Sequence, residues 1–255
     1  MNAPIASFAL LGADGVPLAG HEPGREFYAA STIKLAVAAA LLLAVDAGAL
    51  SLAQTVPSRS VFSSRIPGAP DFAFDWDEVD PGFPVPGTPV SLGWCLERML
   101  IVSSNEATNL LVETLGLDAV RVACEQLGVP GARMTRLIGD YAAREAGYTH
   151  AASALDLARL MYAVTAGPCL SEASRAHLIG VLRAQRFPMI ADALPAGSPW
   201  ASKSGWVDAI RHDVAAIGTP GADDFRVLAI CTEGFEAQGA QALIRAIAGA
   251  LFPAR

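Results

Sequence analysis

Between Thr32 and about Ala47 the sequence reads TIKLAVAAALLLAVDA, apolar on nearly every face of a helix and stopped by Gly48. A helix without a polar stripe has no stable place on a surface, so other elements must surround it. With 255 residues, 53% of them apolar, the chain has enough core-forming material to do so. The apolar run from Leu35 to Val45 is too short to cross a bilayer, which takes ~20 residues. Lys34 interrupts the pattern, and it is one of only two lysines in a chain that otherwise uses arginine.

The flanking segments say what surrounds this helix. Residues 4–11 and 16–20 flank the turn dipeptide Asp14-Gly15 and predict a hairpin. Helical periodicity runs from Ser91 to about Ser198, β character returns at 200–205, 211–218 and 225–232, and a helix over about 236–251 closes the chain. Strands at both ends around a helical middle predict an α/β (α+β) fold, an antiparallel sheet built from both termini, flanked by helices, with an inserted all-helical lobe. One domain is expected, its sheet lobe formed by about 1–50 and 199–255 and its helical lobe by about 51–198.

A net charge of −7 and a pI near 5.1 argue against nucleic acid or an anionic membrane surface as partner. A small neutral or anionic substrate, met by a locally placed cation, is expected instead. Cys95, Cys124, Cys169 and Cys231 are scattered without metal-ligand spacing, so no metal and no cofactor are expected, and the four read as buried apolar fillers. The first residues lack the pattern of a signal peptide, which predicts a cytoplasmic protein. Oligomeric state leaves no trace in the sequence.

Ser31 and Lys34 form S-x-x-K, and residues three apart share one helix face, which brings the amine within reach of the hydroxyl. A serine hydroxyl is a poor nucleophile until a base removes its proton. Lysine acts as that base only when neutral, and burial lowers its pKa from about 10.4 towards neutrality. Arginine stays charged, so a base at this position has to be lysine. Taken alone, the pair fits equally a capping serine beside a stray surface lysine.

The second lysine, Lys203, lies in WASKSGW as K-S-G, and MLIVSSNEATNLL between the two carries S-x-N at Ser103 and Asn105. In this order and setting the chain resembles the class A serine β-lactamases and the related penicillin-binding proteins, whose signature is S-x-x-K, S-D-N and K-T-G. The resemblance covers nearly the whole chain and implies a β-lactamase/transpeptidase-like fold. It implies Ser31 as the acylated nucleophile, Lys34 as its base and Ser103 as the proton relay to the leaving nitrogen. Asn105 would bind a substrate amide, Lys203 would supply positive potential, and Ser204 would bind a substrate carboxylate. The backbone N–H groups of Ser31 and Trp206 would form the oxyanion hole. Arg211 would be a further carboxylate-binding residue if the preceding turn is one residue shorter than in the family, or else an edge-strand arginine without a role. His212 and Asp213 read either as a base with its orienter or as a structural histidine at a strand start.

Two features depart from the family pattern. Ser104 stands where the middle motif usually has aspartate. The stretch MTRLIGDYAAREAGYTHAASALDLARL lacks the E-x-x-L-N whose glutamate activates the deacylating water. Asp140 and Glu145 are the carboxylates of that loop; the alternatives are an Asp140 that pairs with Arg136 as a brace and a Glu145 on exposed helix surface. The deacylating base is thus Asp140, Glu145, His212 or none. The sequence predicts a serine hydrolase that forms an acyl-Ser31 intermediate on an amide, lactam or ester bond. An esterase, peptidase or acyltransferase on the same scaffold, or a slow-turnover β-lactam- or peptide-binding protein, fits the same residues.

Residues 57–90 carry seven prolines, the acids Asp71, Asp75, Asp77, Glu78 and Asp80, and the aromatics Phe72, Phe74 and Trp76. The aromatics need apolar surface, and the nearest is expected in the cleft beside Ser31, so this loop is expected either as a lid there or as a solvated excursion.

Overall fold

The computed structural model describes residues 3–253. Five strands, β1 (Ile5–Leu11), β2 (Pro17–His21), β3 (Trp200–Val207), β4 (Ile210–Ile217) and β5 (Arg226–Glu233), form one sheet in the order β3-β4-β5-β1-β2. Every neighbouring pair is antiparallel, and the two end segments of the chain meet where β1 pairs with β5. The alternation of side chains along each strand sorts them between two apolar layers. Leu11, Val214, Ala216, Val227 and Ala229 enter the larger core, whereas Leu10, Ala215, Ile217, Leu228 and Ile230 enter a smaller one with Ile244 and Ala248.

Eight helices accompany the sheet among the described residues: α1 (Lys34–Asp46), α2 (Leu92–Ile101), α3 (Asn105–Leu115), α4 (Leu117–Gln126), α5 (Tyr141–Glu145), α6 (Ala154–Thr165), α7 (Glu172–Arg183) and α8 (Ala237–Leu251). The apolar run of residues 32–47 is carried by α1, and each residue from Lys34 to Leu42 is at most 4% exposed. It is enclosed by α2, α3, α4, α6 and α7, as a helix without a polar face requires. Its last residue, Asp46, accepts hydrogen bonds from the Ser171 N–H and from the Ser171 and Ser174 hydroxyls, which ties the start of α7 to the end of α1. None of the described helices is long and apolar enough to cross a membrane.

The expected central helix begins differently from its pattern. A 3₁₀ turn over Ala30–Ile33 precedes α1, so Ser31 lies in the 3₁₀ turn and Lys34 is the first α residue. Residues three apart are eclipsed in 3₁₀ geometry, so Ser31 and Lys34 lie on the same side of the entry to α1. Ala30, just before the serine, has a φ of 46° and makes the sharp entry into this turn.

Short strands that the periodicity passes over lie outside the main sheet. Glu26–Tyr28, His150–Ser153 and Arg133–Met134 form a small three-stranded sheet, in which His150–Ser153 is central. Runs of two to four residues are too short to display an alternation. Within residues 57–90, Val61–Phe62 pairs with Phe72–Ala73, and Phe62, Phe72 and Phe74 pack together with ring centroids 6.0–6.4 Å apart. Their apolar surface is covered by Gly139, where a Cβ would come within 2.7 Å of Phe74. Phe72 and Phe74 are thus engaged with one another and with the 135–149 loop, and Trp76 is 87% exposed, which corrects the expected aromatic lid over Ser31. Among the cysteines, Cys95, Cys124 and Cys231 are buried but Cys169 is exposed, contrary to its expected place in the core.

Replacing Leu41 by Ala should destabilise the protein by about 2–5 kcal/mol, because the surroundings of α1 cannot collapse into the void. Leu18→Ala, on the exposed strand β2, should stay within about 0.5 kcal/mol. Chemical denaturation of both variants checks the contrast; equal losses would mean that α1 is not the packed centre.

Candidate active site

Strand β3 is an edge of the sheet, and its residues alternate between two environments. Lys203 and Gly205 face the 3₁₀ turn that carries Ser31, where Lys203 is fully buried. Gly205 approaches this turn so closely that a Cβ there would lie 2.6 Å from Ser31 N and 2.7 Å from Thr32 N. Only glycine permits that approach. The Ser204 N–H points away from β4, since it donates to the Gln185 side chain at 2.7 Å. By the period of two, the Trp206 N–H points the same way. Ser31 is near the start of its turn, where backbone N–H groups have no partner within the helix. The Ser31 and Trp206 N–H groups are accordingly neighbours across Gly205.

Lys34 is fully buried at the foot of this arrangement. Its Nζ lies 2.7 Å from the Ser103 carbonyl oxygen, 2.8 Å from Asn105 Oδ1 and 3.2 Å from Ser103 Oγ. Among the described residues, no ion pair includes either lysine. Burial, reinforced by the charge of Lys203, holds the Lys34 pKa well below the usual lysine value, outweighing the attraction of Glu106 and Asp80. The loop between α2 and α3 supplies these partners because Ser103 adopts a left-handed φ of 61° that turns its carbonyl towards the lysine. Ser104 then caps α3 by accepting from the Ala107 N–H, and its hydroxyl donates to Glu106 Oε2 at 3.2 Å.

Lys203 reaches the same serine, donating to Ser103 Oγ at 3.2 Å and to the Ser204 carbonyl at 2.6 Å. Burial pushes its pKa down to about 7, while the charge of Asp213 pulls the other way. A single hydroxyl, Ser103 Oγ, therefore bridges two buried amines.

The remaining expected residues occupy different places. Ser204 is fully buried, and both its N–H and its hydroxyl donate to Gln185 Oε1 at 2.7 Å, so neither donor is open to a substrate carboxylate. Arg211 pairs across the β3–β4 hairpin with Trp206, its guanidinium 5.6 Å from the indole centroid. His212 is buried and structural: Nδ1 accepts from the Thr232 N–H at 3.1 Å, and Nε2 donates to the Tyr28 carbonyl at 2.9 Å. Burial pushes the His212 pKa down to about 4, so the ring is neutral near pH 7. Asp213 does not orient it; one carboxylate oxygen accepts from the Met189 and Ile190 N–H groups at 2.8 Å each.

Neither carboxylate of the 135–149 loop is presented as a free base. Asp140 is fully buried, with Oδ1 accepting from Ser64 Oγ and the Ala143 N–H and Oδ2 from the Arg65 N–H. It braces the loop, though not through Arg136, which donates to the Leu137 carbonyl and the Tyr28 hydroxyl. Glu145 is exposed at the end of α5. Residues 57–90 reach the site through their backbone: the Glu78 carbonyl accepts from Asn105 Nδ2 at 3.3 Å, and the Asp80 N–H donates to Glu106. Sequence patterns gave no hint of Gln185, whose role depends on tertiary placement after α7. The close approach of Gly205 was open to detection as the glycine of K-S-G.

A model of the Beta-lactamase enzyme family matches residues 8–254. The chain belongs to the beta-lactamase enzyme family. Among solved structures, a beta-lactamase from Sphaerobacter thermophilus is similar at 25% identity and a TM-score of 0.80, covering 98% of this chain and 90% of that one. A beta lactamase from Xanthomonas campestris pv. campestris gives 23% identity, a TM-score of 0.81 and coverage of 98% and 91%. The protein PBP-A gives 23%, 0.80, and 98% and 89%. These likenesses place the fold of this beta-lactamase family member among class A beta-lactamases and PBP-A. No curated protein matches the sequence.

Gly205→Ala should lower the rate at which a chromogenic acyl donor reacts with the protein by about 100-fold or more, while leaving the far-ultraviolet circular dichroism spectrum unchanged. The added methyl would press on the backbone of Ser31 and Thr32, which cannot swing aside as a side chain can. Stopped-flow acylation by a chromogenic donor checks it; a rate within a factor of about two of wild type would show that the two N–H groups do not act together.

Proposed function

We propose that the protein is a serine hydrolase that cleaves an amide, lactam or ester bond through an acyl-Ser31 intermediate. The observation that carries this reading is the pair of buried lysines on Ser103 Oγ, at 3.2 Å each. A neutral Lys34 has two N–H donors and one lone pair. The Ser103 carbonyl and Asn105 Oδ1 accept from it at 2.7 and 2.8 Å, which turns the lone pair to the third contact, the Ser103 hydroxyl at 3.2 Å. In the reaction Ser31 Oγ, three residues before Lys34, displaces that contact, and its proton passes to the Lys34 lone pair as its oxygen bonds to the substrate carbonyl carbon.

The negative charge that forms on the carbonyl oxygen is met by the Ser31 and Trp206 N–H groups. The proton held on Lys34 passes through Ser103 Oγ to the leaving nitrogen or oxygen as the carbonyl bond breaks. Charged Lys203, donating to Ser103 Oγ, favours that transfer by lowering the cost of electron density on the relay oxygen. Water then releases the acyl group. The engaged or exposed state of Asp140, Glu145 and His212 favours a second reading, a protein that acylates readily and deacylates slowly. One solved relative, a mutant of PBP-A, is described as an acyl-enzyme complex with penicillin G.

Intact-mass spectrometry after mixing with a chromogenic cephalosporin and with a p-nitrophenyl ester tests both readings. A transient adduct on Ser31 with product release supports the hydrolase, a lasting one-to-one adduct supports the slow form, and no adduct with any donor sinks both. Lys34→Arg should lower acylation by at least about 1,000-fold despite keeping the charge, since guanidinium cannot accept the proton.

The acylation rate of the wild-type protein should rise as pH increases through the depressed pKa of Lys34, which must lose its proton to act. The rate should then fall above about pH 7, where Lys203 loses its charge. Lys203→Arg should remove the alkaline limb. A wild-type profile that keeps rising to the ordinary lysine range would contradict this assignment.

A further inference from the structure

Beyond α7, the segment 184–190 lies along the face of β3 and β4 that carries Ser202, Ser204, Trp206, Arg211 and Asp213. Gln185 is 5% exposed, and its amide is divided between two serines of the edge strand. Oε1 accepts from the Ser204 N–H and the Ser204 hydroxyl at 2.7 Å each, and Nε2 donates to Ser202 Oγ. The backbone holds it there, because the next residue, Arg186, donates its N–H to the Ile101 carbonyl at 3.0 Å, at the end of α2. Two residues on, Phe187 packs edge-on against Trp206 with centroids 5.2 Å apart, and the Met189 and Ile190 N–H groups bind Asp213.

Along an edge strand, the outward N–H groups are the donors that an extended ligand uses. On β3 these are Trp206, beside Ser31, and Ser204, two residues away. Gln185 Oε1 occupies the second donor together with its hydroxyl, as a bound carboxylate oxygen would. The rim beyond is apolar: Phe187 is 41% exposed and Trp206 38% exposed. Lys203 adds no attraction on this side, since its amine is directed to Ser103 and the Ser204 carbonyl.

We propose that Gln185 is a specificity-determining residue that withholds the Ser204 donors from substrate, so that the site accepts acyl donors presenting an uncharged, apolar or aromatic group to Phe187 and Trp206. The inference rests on the acyl-Ser31 reading and names its substrate class. A displaced Gln185 would leave two buried serines and its own amide to find new partners, a cost that a carboxylate-bearing donor meets and a neutral one does not. Arg211 contributes a cation to the rim, but its guanidinium is directed at the Trp206 ring.

The test compares two p-nitrophenyl esters of matched size, one with an aromatic and one with a carboxylate-bearing acyl chain, by stopped-flow acylation and intact mass. Wild type should favour the aromatic donor. Gln185→Ala should raise kcat/KM for the carboxylate donor relative to the aromatic one by about ten-fold, the worth of one recovered charge-assisted hydrogen bond. If that variant does not fold, Gln185→Asn, which keeps an amide one methylene too short to reach Ser204, should shift the ratio in the same direction. An unchanged ratio in a folded variant overturns the inference and leaves the acyl-serine reading standing. A wild-type preference for the carboxylate donor that is lost in Arg211→Ala also overturns it, by assigning the anion to Arg211. Absence of any Ser31 adduct in wild type removes the reading and the inference together.

Discussion

Two lysine amines are buried here without a carboxylate in contact among the described residues, and the site is organised around that fact. Moving an ammonium from water into a protein interior costs several kcal/mol even after relaxation, unless it is paired or loses its proton. Lys34 opens the most thoroughly enclosed helix of the molecule, so its desolvation cannot be relieved by a small shift. The partners supplied to it, a carbonyl, an amide oxygen and a hydroxyl, hold an amine in place without requiring it to be charged. Lys203, close enough to depress Lys34 further, makes a neutral–charged pair the cheaper state for the two amines.

That electrostatic economy explains the local backbone. Ser103 takes a left-handed φ, which is uncommon for a serine, and in doing so directs both its carbonyl and its hydroxyl to Lys34. The edge strand comes up against the 3₁₀ turn through a glycine, so that two backbone N–H groups and the serine share one small volume. Since β3 belongs to a sheet closed by β1 and β5 from the two ends of the chain, the complete site exists only in the folded whole.

Much of this was legible in sequence because the chemistry imposes residue types. A buried cation that can lose its proton is lysine rather than arginine, and Lys34 and Lys203 are conspicuous in an arginine-rich chain. The apolar run predicted the buried helix, and the returning alternation predicted three of the five sheet strands to within about two residues. The 3₁₀ entry to α1 was not legible, since it depends on how Ala29 is held by the small sheet containing His150. Nor was the fate of Phe72 and Phe74, which found their apolar surface on Phe62 and Gly139 rather than in the cleft. Gln185 lay outside any motif, and only the packing of the segment after α7 against the edge strand gives it a place beside Ser204. Asp140 and His212 drew attention as titratable groups, yet in the fold their polar atoms are spent on backbone and hydroxyl partners.

Burial should make Lys34 lose its proton well below the ordinary lysine range. With only two lysines in the chain, protein labelled with ¹³C at lysine Cε gives two side-chain signals, and Lys203→Arg assigns them. The Lys34 signal should titrate well below the ordinary lysine value of 10.5, and the Lys203 signal at about 7. Two signals that remain those of charged ammonium groups until pH approaches 10.5 would contradict it.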